Sequence, residues 1–214
     1  MRIVHLCADG ARELAQLPQA PLDEGFVWIA STRTSFQTQL EAIQASLQAL
    51  GGQALLDLHV SDLLNAQLPS YYDDTWAYDL LVFRRLSAAG EKGTHPAEKS
   101  TRKRSGPPVL RRIDTHPVGF VVMDRVLLTV HQPDCPVRAW FADRLLSAAA
   151  SDPREDTAGR MPTVRLPNSP AELMLRTVNH MVDGYLALRR ELTRQLDHWQ
   201  TELLHPKARF ANWS

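Results

Sequence analysis

The sequence of this 214-residue chain predicts an α/β fold: a three-layer α/β/α sandwich around a mixed sheet, followed by a long projecting helix. Short apolar segments rich in β-branched residues alternate with segments whose apolar residues recur every three or four positions. The C-terminal part instead repeats apolar residues every seven positions, which is typical of a helix packed against other helices. We expect the sandwich domain over residues 1–168 and the start of the projecting helix over 169–214.

The composition excludes some classes of protein. Lys and Arg together number 24, as do Asp and Glu, so no global positive field would attract nucleic acid. No segment has the pattern of a signal peptide, and no run approaches the roughly 18–20 apolar residues of a membrane helix. The chain as given is therefore expected to be soluble. Cys7 and Cys135 lack metal or redox spacing, and we expect the reduced thiols of a cytoplasmic protein.

The first third of the chain predicts strands and then helices. Residues 1–7 favour a strand that ends in a turn, and a second short strand could follow the turn. The apolar run 26–31 predicts a buried strand. Residues 34–52 predict one helix, with Thr34 or Ser35 as its cap and two glycines at its end. A second short helix is predicted over 56–66.

The middle of the chain predicts strands on either side of a long basic linker. Residues 78–86 favour a strand. Residues from about 87 to 108 have no apolar periodicity and are predicted to be mobile. From 84 to 112 the chain has nine basic residues against two glutamates, either as a solvated loop, which we favour, or as a docking surface. Residues 117–131 predict a hairpin that turns at 123–125.

The chain then predicts two more helices, separated by a second loop over 151–170. The first covers 137–149. The second begins at Ser169 and Pro170, a cap and first position, with Glu172 three residues beyond the cap. Up to residue 204 it would be roughly 50 Å long, which exceeds the width of a compact domain of this size.

Two seven-residue sets of side chains mark one seam on this last helix. Its members are Val178, Tyr185, Leu192 and Trp199, with Val182, Leu196 and Leu203 beside them and Arg189 as an interruption. The first half of the helix could instead be a core helix that crosses one face of the sheet. The thin seam and high charge of the second half predict that it needs partner helices.

No motif of a common enzyme class is present. The chain lacks a Walker-type phosphate loop, a G-x-G-x-x-G after a strand, a G-x-S-x-G elbow and an H-E-x-x-H zinc motif. We therefore expect that the protein is not an enzyme.

Four segments in order resemble one known family. They are FVWIAS followed by a helix, SDLLNAQLPSYYDDTWAYDLLVFRRL, PVGFVVMDRVLLTVH, and LMLRTVNHMVDGYLALRRELTRQLDHWQTELLHP. Together they are similar to the cytoplasmic domain of CorA-type divalent-cation transporters, within the CorA/ZntB superfamily. The family pattern contains a strand with aromatic and acidic residues after the Ser61–Leu64 segment. It also contains an (Ile/Val)-(Asp/Asn)-x-(Leu/Met)-Val-Asp-x-Tyr pattern on the long helix, which matches Val178 to Tyr185.

The resemblance implies a function for the long helix. In that family it is a stalk that continues into the first of two membrane helices, and five copies form a funnel. The membrane helices and the family's Gly-Met-Asn signature are not in this sequence. We therefore expect an excised regulatory domain on the cytoplasmic side of the inner membrane, from a homopentamer that transports Mg²⁺ or Co²⁺. The zinc-transporting ZntB branch and a soluble metal-sensing or interaction protein remain alternatives.

The resemblance also implies a regulatory cation site at the subunit boundary. The family's acid pair corresponds to Ser61 and Asp62, and its stalk acid to Asn179. Mg²⁺ prefers hard oxygen ligands and keeps several waters. Because only one carboxylate remains in this set, we expect weak binding of Mg²⁺, or of Co²⁺ or Zn²⁺ in its place. The alternatives are that Asp62 caps or solvates its helix and that Asn179 is an ordinary polar stalk residue.

Other potential ligands are considered separately. His180 and Asp183 lie three residues apart on one predicted helix and could form a metal-binding pair, although no third ligand is evident. We expect His198 and His205 to be surface residues and His131 to have a structural role at a strand end.

Overall fold

The protein is described by a computed structural model that covers residues 1–87, 113–133, 135–150 and 165–204. Most of the predicted basic linker and the predicted loop from 151 to 164 lie outside the described residues. The same holds for His205.

A seven-stranded mixed sheet forms the centre of the domain. Its strands are β1 (Arg2–Cys7), β2 (Gly10–Glu13), β3 (Phe26–Thr32), β4 (Tyr71–Asp74), β5 (Asp79–Leu86), β6 (Thr115–Val122) and β7 (Val126–His131). They lie in the order β2-β1-β3-β7-β6-β5-β4. Strands β3 and β7 are parallel, and the other neighbouring pairs are antiparallel.

Three helices cover one face of the sheet: α1 (Arg33–Thr38), α2 (Leu40–Gly51) and α3 (Asp57–Leu64). Phe36, Ile43 and Leu47 are fully buried and pack in one cluster with Ile29 and Leu128 of the sheet. Burial of these apolar side chains holds the helices on the sheet, at about 25 cal/mol for each Å² removed from water.

The prediction of a single helix over 34–52 is wrong in one respect, because the structure has two helices, α1 and α2, that are divided at Gln39. This residue leaves the helical region, with φ −114° and ψ 21°. Thr32, rather than Thr34 or Ser35, caps α1 by accepting a hydrogen bond from the Ser35 amide at 3.1 Å. At the other end, Gly52 has the left-handed φ of 75° that ends α2 as predicted.

The opposite face is covered by α4 (Pro136–Ala150) and by the first half of α5 (Pro170–Leu204). Phe141 of α4 packs in a second cluster with Leu173 and Met181 of α5 and with Trp28 and Phe120 of the sheet. Helices on both faces of a mixed sheet confirm the predicted three-layer α/β/α architecture.

Helix α5 begins as the sequence predicts. The hydroxyl of Ser169 accepts a hydrogen bond from the Glu172 amide at 3.1 Å, and the Glu172 carboxylate accepts one from the Asn168 amide at 2.7 Å. These bonds satisfy backbone donors that a helix start leaves unpaired. The helix has 35 residues, which corresponds to roughly 52 Å. It therefore continues well past the sheet that it covers.

The local sequence pattern did not firmly predict either edge strand of the sheet. Strand β2, which the pattern left open, pairs with β1 along one edge. Strand β4 forms the other edge, and its local pattern did not predict it. Its sequence, YYDD, corresponds to the strand with aromatic and acidic residues that the family resemblance implied.

Candidate functional site

Helix α3 carries two of the three predicted cation ligands. The helix buries His59, Val60 and Leu63 against the sheet. Leu63 lies over Gly119 of β6, where a Cβ would stand only 2.2 Å from the leucine Cδ2. This close approach fixes the rotation of α3, so that Ser61 is exposed and Asp62 is half-buried at the side of the helix.

Asp62 is bound to the edge strand. The hydroxyl of Tyr71 in β4 donates to its Oδ2 at 2.6 Å. The pKa of Tyr71 is raised well above its usual value, mainly by burial and secondly by this bond to a carboxylate. Asp62 does not cap α3, because Leu56 occupies the cap position. A carboxylate has about four lone-pair sites. The part of the chain that the structure describes supplies only this hydrogen bond to the Asp62 side chain, so capacity for a cation remains.

A buried histidine beside this acid was missed by the sequence reasoning. His59 is 1% exposed, and its Nδ1 lies 2.7 Å from the Tyr78 hydroxyl. Its Nε2 lies 3.1 Å from Asp73 Oδ2. The Tyr78 oxygen also accepts the Leu56 amide at 3.0 Å, so its proton points to Nδ1 and the histidine donates to Asp73 from Nε2. The only sequence signal was a histidine in the buried register of a short helix.

The third predicted ligand lies in a different place. Asn179 is an exposed residue of α5 that lines a cleft of about 260 Å³ between α4 and α5. Arg176, Asp183 and Trp140 also line it. Arg176 is held by the Arg165 carbonyl at 2.5 Å and by Glu172 at 2.6 Å. Arg144 and Arg176 thus line the cleft together with a single described carboxylate, that of Asp183, which weakens the cleft as a cation site within one chain.

His180 has a contact that the predicted metal pair did not include. Its ring stacks on Trp140 with centroids 4.8 Å apart and an angle of 6°. The Arg144 guanidinium lies 4.7 Å from the centroid of the same indole. No group of three or more metal-ligating side chains occurs within residues 1–87, 113–133, 135–150 and 165–204. In these ranges the His180–Asp183 pair has no third ligand.

Asp62 and Asn179 do not meet within one chain. Helix α3 packs on one face of the sheet and α5 on the other, so the sheet separates them. Ser61 lies with Asp62. A shared cation site made from these three residues therefore needs a second copy of the chain. The structure leaves the predicted site untested.

The remaining predicted residues have simple environments. His131 is buried at the end of β7, where its Nδ1 donates to the Gln132 carbonyl at 2.7 Å. His198 is exposed on α5. Cys7 and Cys135 are free thiols. Among the helices that the structure describes, none combines the length and the apolarity needed to cross a membrane.

A central mixed sheet between two helical layers, extended by one long C-terminal helix, defines a class of domain that solved structures share. Full-length CmaX matches 92% of this chain with a TM-score of 0.59 and 16% identity. The soluble domain of CorA from Methanocaldococcus jannaschii matches 94% with a TM-score of 0.58 and 12% identity. The cytoplasmic domain of ZntB from Vibrio parahaemolyticus RIMD 2210633 matches 91% with a TM-score of 0.53 and 12% identity.

These comparisons establish the fold. The chain has the fold of the CorA and ZntB soluble domains, and the resemblance seen in the sequence is confirmed at that level. The chain spans 49% of the length of full-length CmaX and 64% of the soluble CorA domain. No protein-family profile and no curated protein matches the sequence.

Proposed function

We propose that this chain is the regulatory domain of a CorA/ZntB-type divalent-cation transporter. The observation that carries the proposal is the match of more than nine tenths of the chain, including its terminal helix, to the soluble domains of CorA and ZntB. One of the matched structures is the complete CorA magnesium transporter of Methanocaldococcus jannaschii. The domain would lie on the cytoplasmic side of the inner membrane and act through subunit movement, without bond chemistry.

The proposed mechanism uses the separation of Asp62 and Asn179. In a ring of five copies, α3 of one subunit would face the stalk helix of its neighbour. A cation between Asp62, Ser61 and the neighbour's stalk would link the two subunits through one carboxylate and neutral oxygen ligands. Loss of the cation would then loosen the ring, because a ligand shifts a conformational equilibrium only through its different affinity for the two states.

The available ligands favour a weakly bound hard cation. A carboxylate, a hydroxyl and an amide supply oxygen atoms, which suit Mg²⁺ better than Zn²⁺, and Co²⁺ is kept as an alternative to Mg²⁺. With one carboxylate in the set, the dissociation constant is expected to be about 1 mM, at the weak end of oxygen-ligand sites. The match to ZntB makes Zn²⁺ the second candidate.

The test is a calorimetric titration with Mg²⁺, Co²⁺ and Zn²⁺, with sedimentation measurements before and after each titration. Binding should shift the protein toward a larger oligomer. Asp62→Asn should abolish both effects. Asp57→Asn is the matched control, because Asp57 is an exposed acid on the same helix. Tyr71→Phe removes the bond to Asp62 but keeps the carboxylate, so it should lower stability and preserve cation binding.

A second pair of variants tests whether cation binding is weak because Ser61 and Asn179 lack carboxylates. Asn179→Asp and Ser61→Glu restore carboxylates at the positions where the related family has acids. Each should tighten Mg²⁺ binding by roughly tenfold, or about 1.4 kcal/mol. Equal cation binding by the wild type and Asp62→Asn would contradict the site. Binding that leaves the oligomer unchanged would favour a soluble metal sensor instead.

A further inference from the structure

A second candidate site lies at the edge of the sheet where its two parallel strands end. Thr32 at the end of β3 pairs with His131 at the end of β7. After β3 the chain enters α1 on one face of the sheet, and after β7 it enters α4 on the other. In open α/β sheets, ligands bind outside the carboxyl ends of parallel strands. The ends of the parallel strands β3 and β7 form an edge of this kind.

Positive side chains converge at this edge. Arg33 is the first residue of α1, and Arg138 lies in the first turn of α4. Arg85 of β5 is 2% exposed and pairs across the sheet with His116. All three arginines are close enough to His131 to disfavour its protonation. Positive charge is thus concentrated around one buried imidazole.

Two of these arginines have buried donors without partners. Arg33 donates from Nη2 to the Pro117 carbonyl, but within the described residues its Nε and Nη1 are buried and unbonded. The Nε of Arg138 is also buried and has no hydrogen-bond partner among the described residues. Burial and the nearby Arg84 lower the pKa of Arg33 to about 10, so it stays charged at neutral pH. No described carboxylate pairs with either side chain. A buried N–H donor without an acceptor is costly.

His131 adds an acceptor to this group of donors. Its Nδ1 donates to the Gln132 carbonyl, which leaves the lone pair on Nε2. The side chain is 1% exposed, and Nε2 has no partner among the described residues. Hydrogen phosphate fits such a set, because its ionised oxygens accept hydrogen bonds while its hydroxyl donates one. Sulfate has no hydroxyl at neutral pH and would leave Nε2 unpaired.

We propose that this edge binds hydrogen phosphate, with its oxygens accepting from Arg33 and Arg138 and its hydroxyl donating to Nε2 of His131. The ligand class is inorganic hydrogen phosphate, because a phosphate monoester at neutral pH is largely a dianion without a P–OH and would leave Nε2 unpaired, as sulfate would. The site is separate from Asp62 and Asn179, and its existence does not depend on the transporter proposal.

The test is thermal unfolding at pH 7.5 in sodium phosphate, with sodium chloride and sodium sulfate at matched ionic strength. Phosphate at one hundred times its dissociation constant should raise Tm by about 5–10 °C with saturation, whereas chloride should not. Sulfate should be weaker. Glycerol phosphate, which is largely a dianion without a P–OH at this pH, should give a response as weak as that of sulfate, and equal potency would contradict the hydrogen bond to Nε2 of His131.

The variants assign the effect to the residues. Arg33→Gln and Arg138→Gln should each lose the phosphate response. Arg194→Gln, an exposed arginine of α5, should keep it. His131→Gln should reduce the preference for phosphate over sulfate. If Arg33→Gln does not fold, Arg138→Gln carries the test, because Arg138 is only half-buried.

Two results would overturn the proposal. One is a wild-type response that does not exceed that of chloride, which would mean that water or the chain itself satisfies the buried donors. The other is an equal phosphate response in the wild type and both arginine variants.

Discussion

The two halves of α5 share one continuous helix but differ in what covers them. In the first half, Leu173 is fully buried and Met181 is 4% exposed against the sheet. In the second half, Leu196 is 59% exposed and Leu204 is 74% exposed. Tyr185 lies between the halves, and its hydroxyl donates to the Arg84 carbonyl at 2.5 Å.

This difference shows which half the chain stabilises by itself. Most helical stability in proteins comes from tertiary packing of an apolar face rather than from the helix propensity of the residues. The seven-residue seam serves two purposes. Near Val178 it packs on the core of this chain, and beyond Tyr185 it presents apolar side chains that its own described residues do not cover. The second half is therefore the part that a partner would stabilise.

The largest expected effect separates the halves directly. Leu173→Ala removes a fully buried side chain and should lower the free energy of unfolding by about 2–5 kcal/mol. Leu196→Ala, the matched change in the second half, should change it by less than about 0.5 kcal/mol in the monomer. Urea unfolding at low protein concentration measures both. Similar losses in the two variants would mean that the second half packs on the body.

Where the sequence predicted the structure well, the deciding signals were local. The hairpin of β6 and β7 follows from two apolar runs around residues 123–125. The start of α5 follows from Ser169, Pro170 and Glu172, which lie within one turn of each other. Such signals depend on backbone preferences and need no knowledge of the rest of the fold.

Where the prediction failed or was silent, the cause was distant in sequence. The edge strand β4 is short, and its pairing with β5 gives it a strand conformation that its local pattern does not specify. His59 acquires partners at positions 73 and 78 only when α3 packs beside β4 and β5. The arginines at positions 33, 85 and 138 belong to three different elements and come near His131 only in the folded chain. Sequence spacing carried no sign of either cluster.

The second-largest expected effect is a pH dependence of the free energy of unfolding, and it arises in the sheet domain that the first half of α5 covers. Burial, with three nearby arginines, lowers the pKa of His131 from 6.5 to about 4. The unfolded chain therefore binds a proton between these values that the folded protein does not. The resulting stability is present above pH 6.5 and is lost as pH falls toward 4. The loss should be about 3 kcal/mol in total.

Urea unfolding between pH 7.5 and 4.5, in buffers without phosphate or sulfate, measures this dependence. His131→Gln keeps a donor for the Gln132 carbonyl and should flatten the slope. The helix beyond Tyr185 should have no part in it, so Leu196→Ala should retain the wild-type slope. A slope that His131→Gln leaves unchanged would show that other groups cause the pH dependence.

The smallest expected effect tests the boundary between the halves. Tyr185→Phe removes the hydroxyl that donates to Arg84 but keeps the ring, which packs edge-on against Phe83 with centroids 6.3 Å apart. The cost should be about 1 kcal/mol, since a single hydrogen bond contributes modestly once water is considered. Hydrogen exchange gives a sharper result, because amides after position 185 should exchange faster while those near Leu173 stay protected. If Tyr185→Phe also exposes amides near Leu173, the halves unfold as one unit. The division between them would then lie elsewhere along the helix.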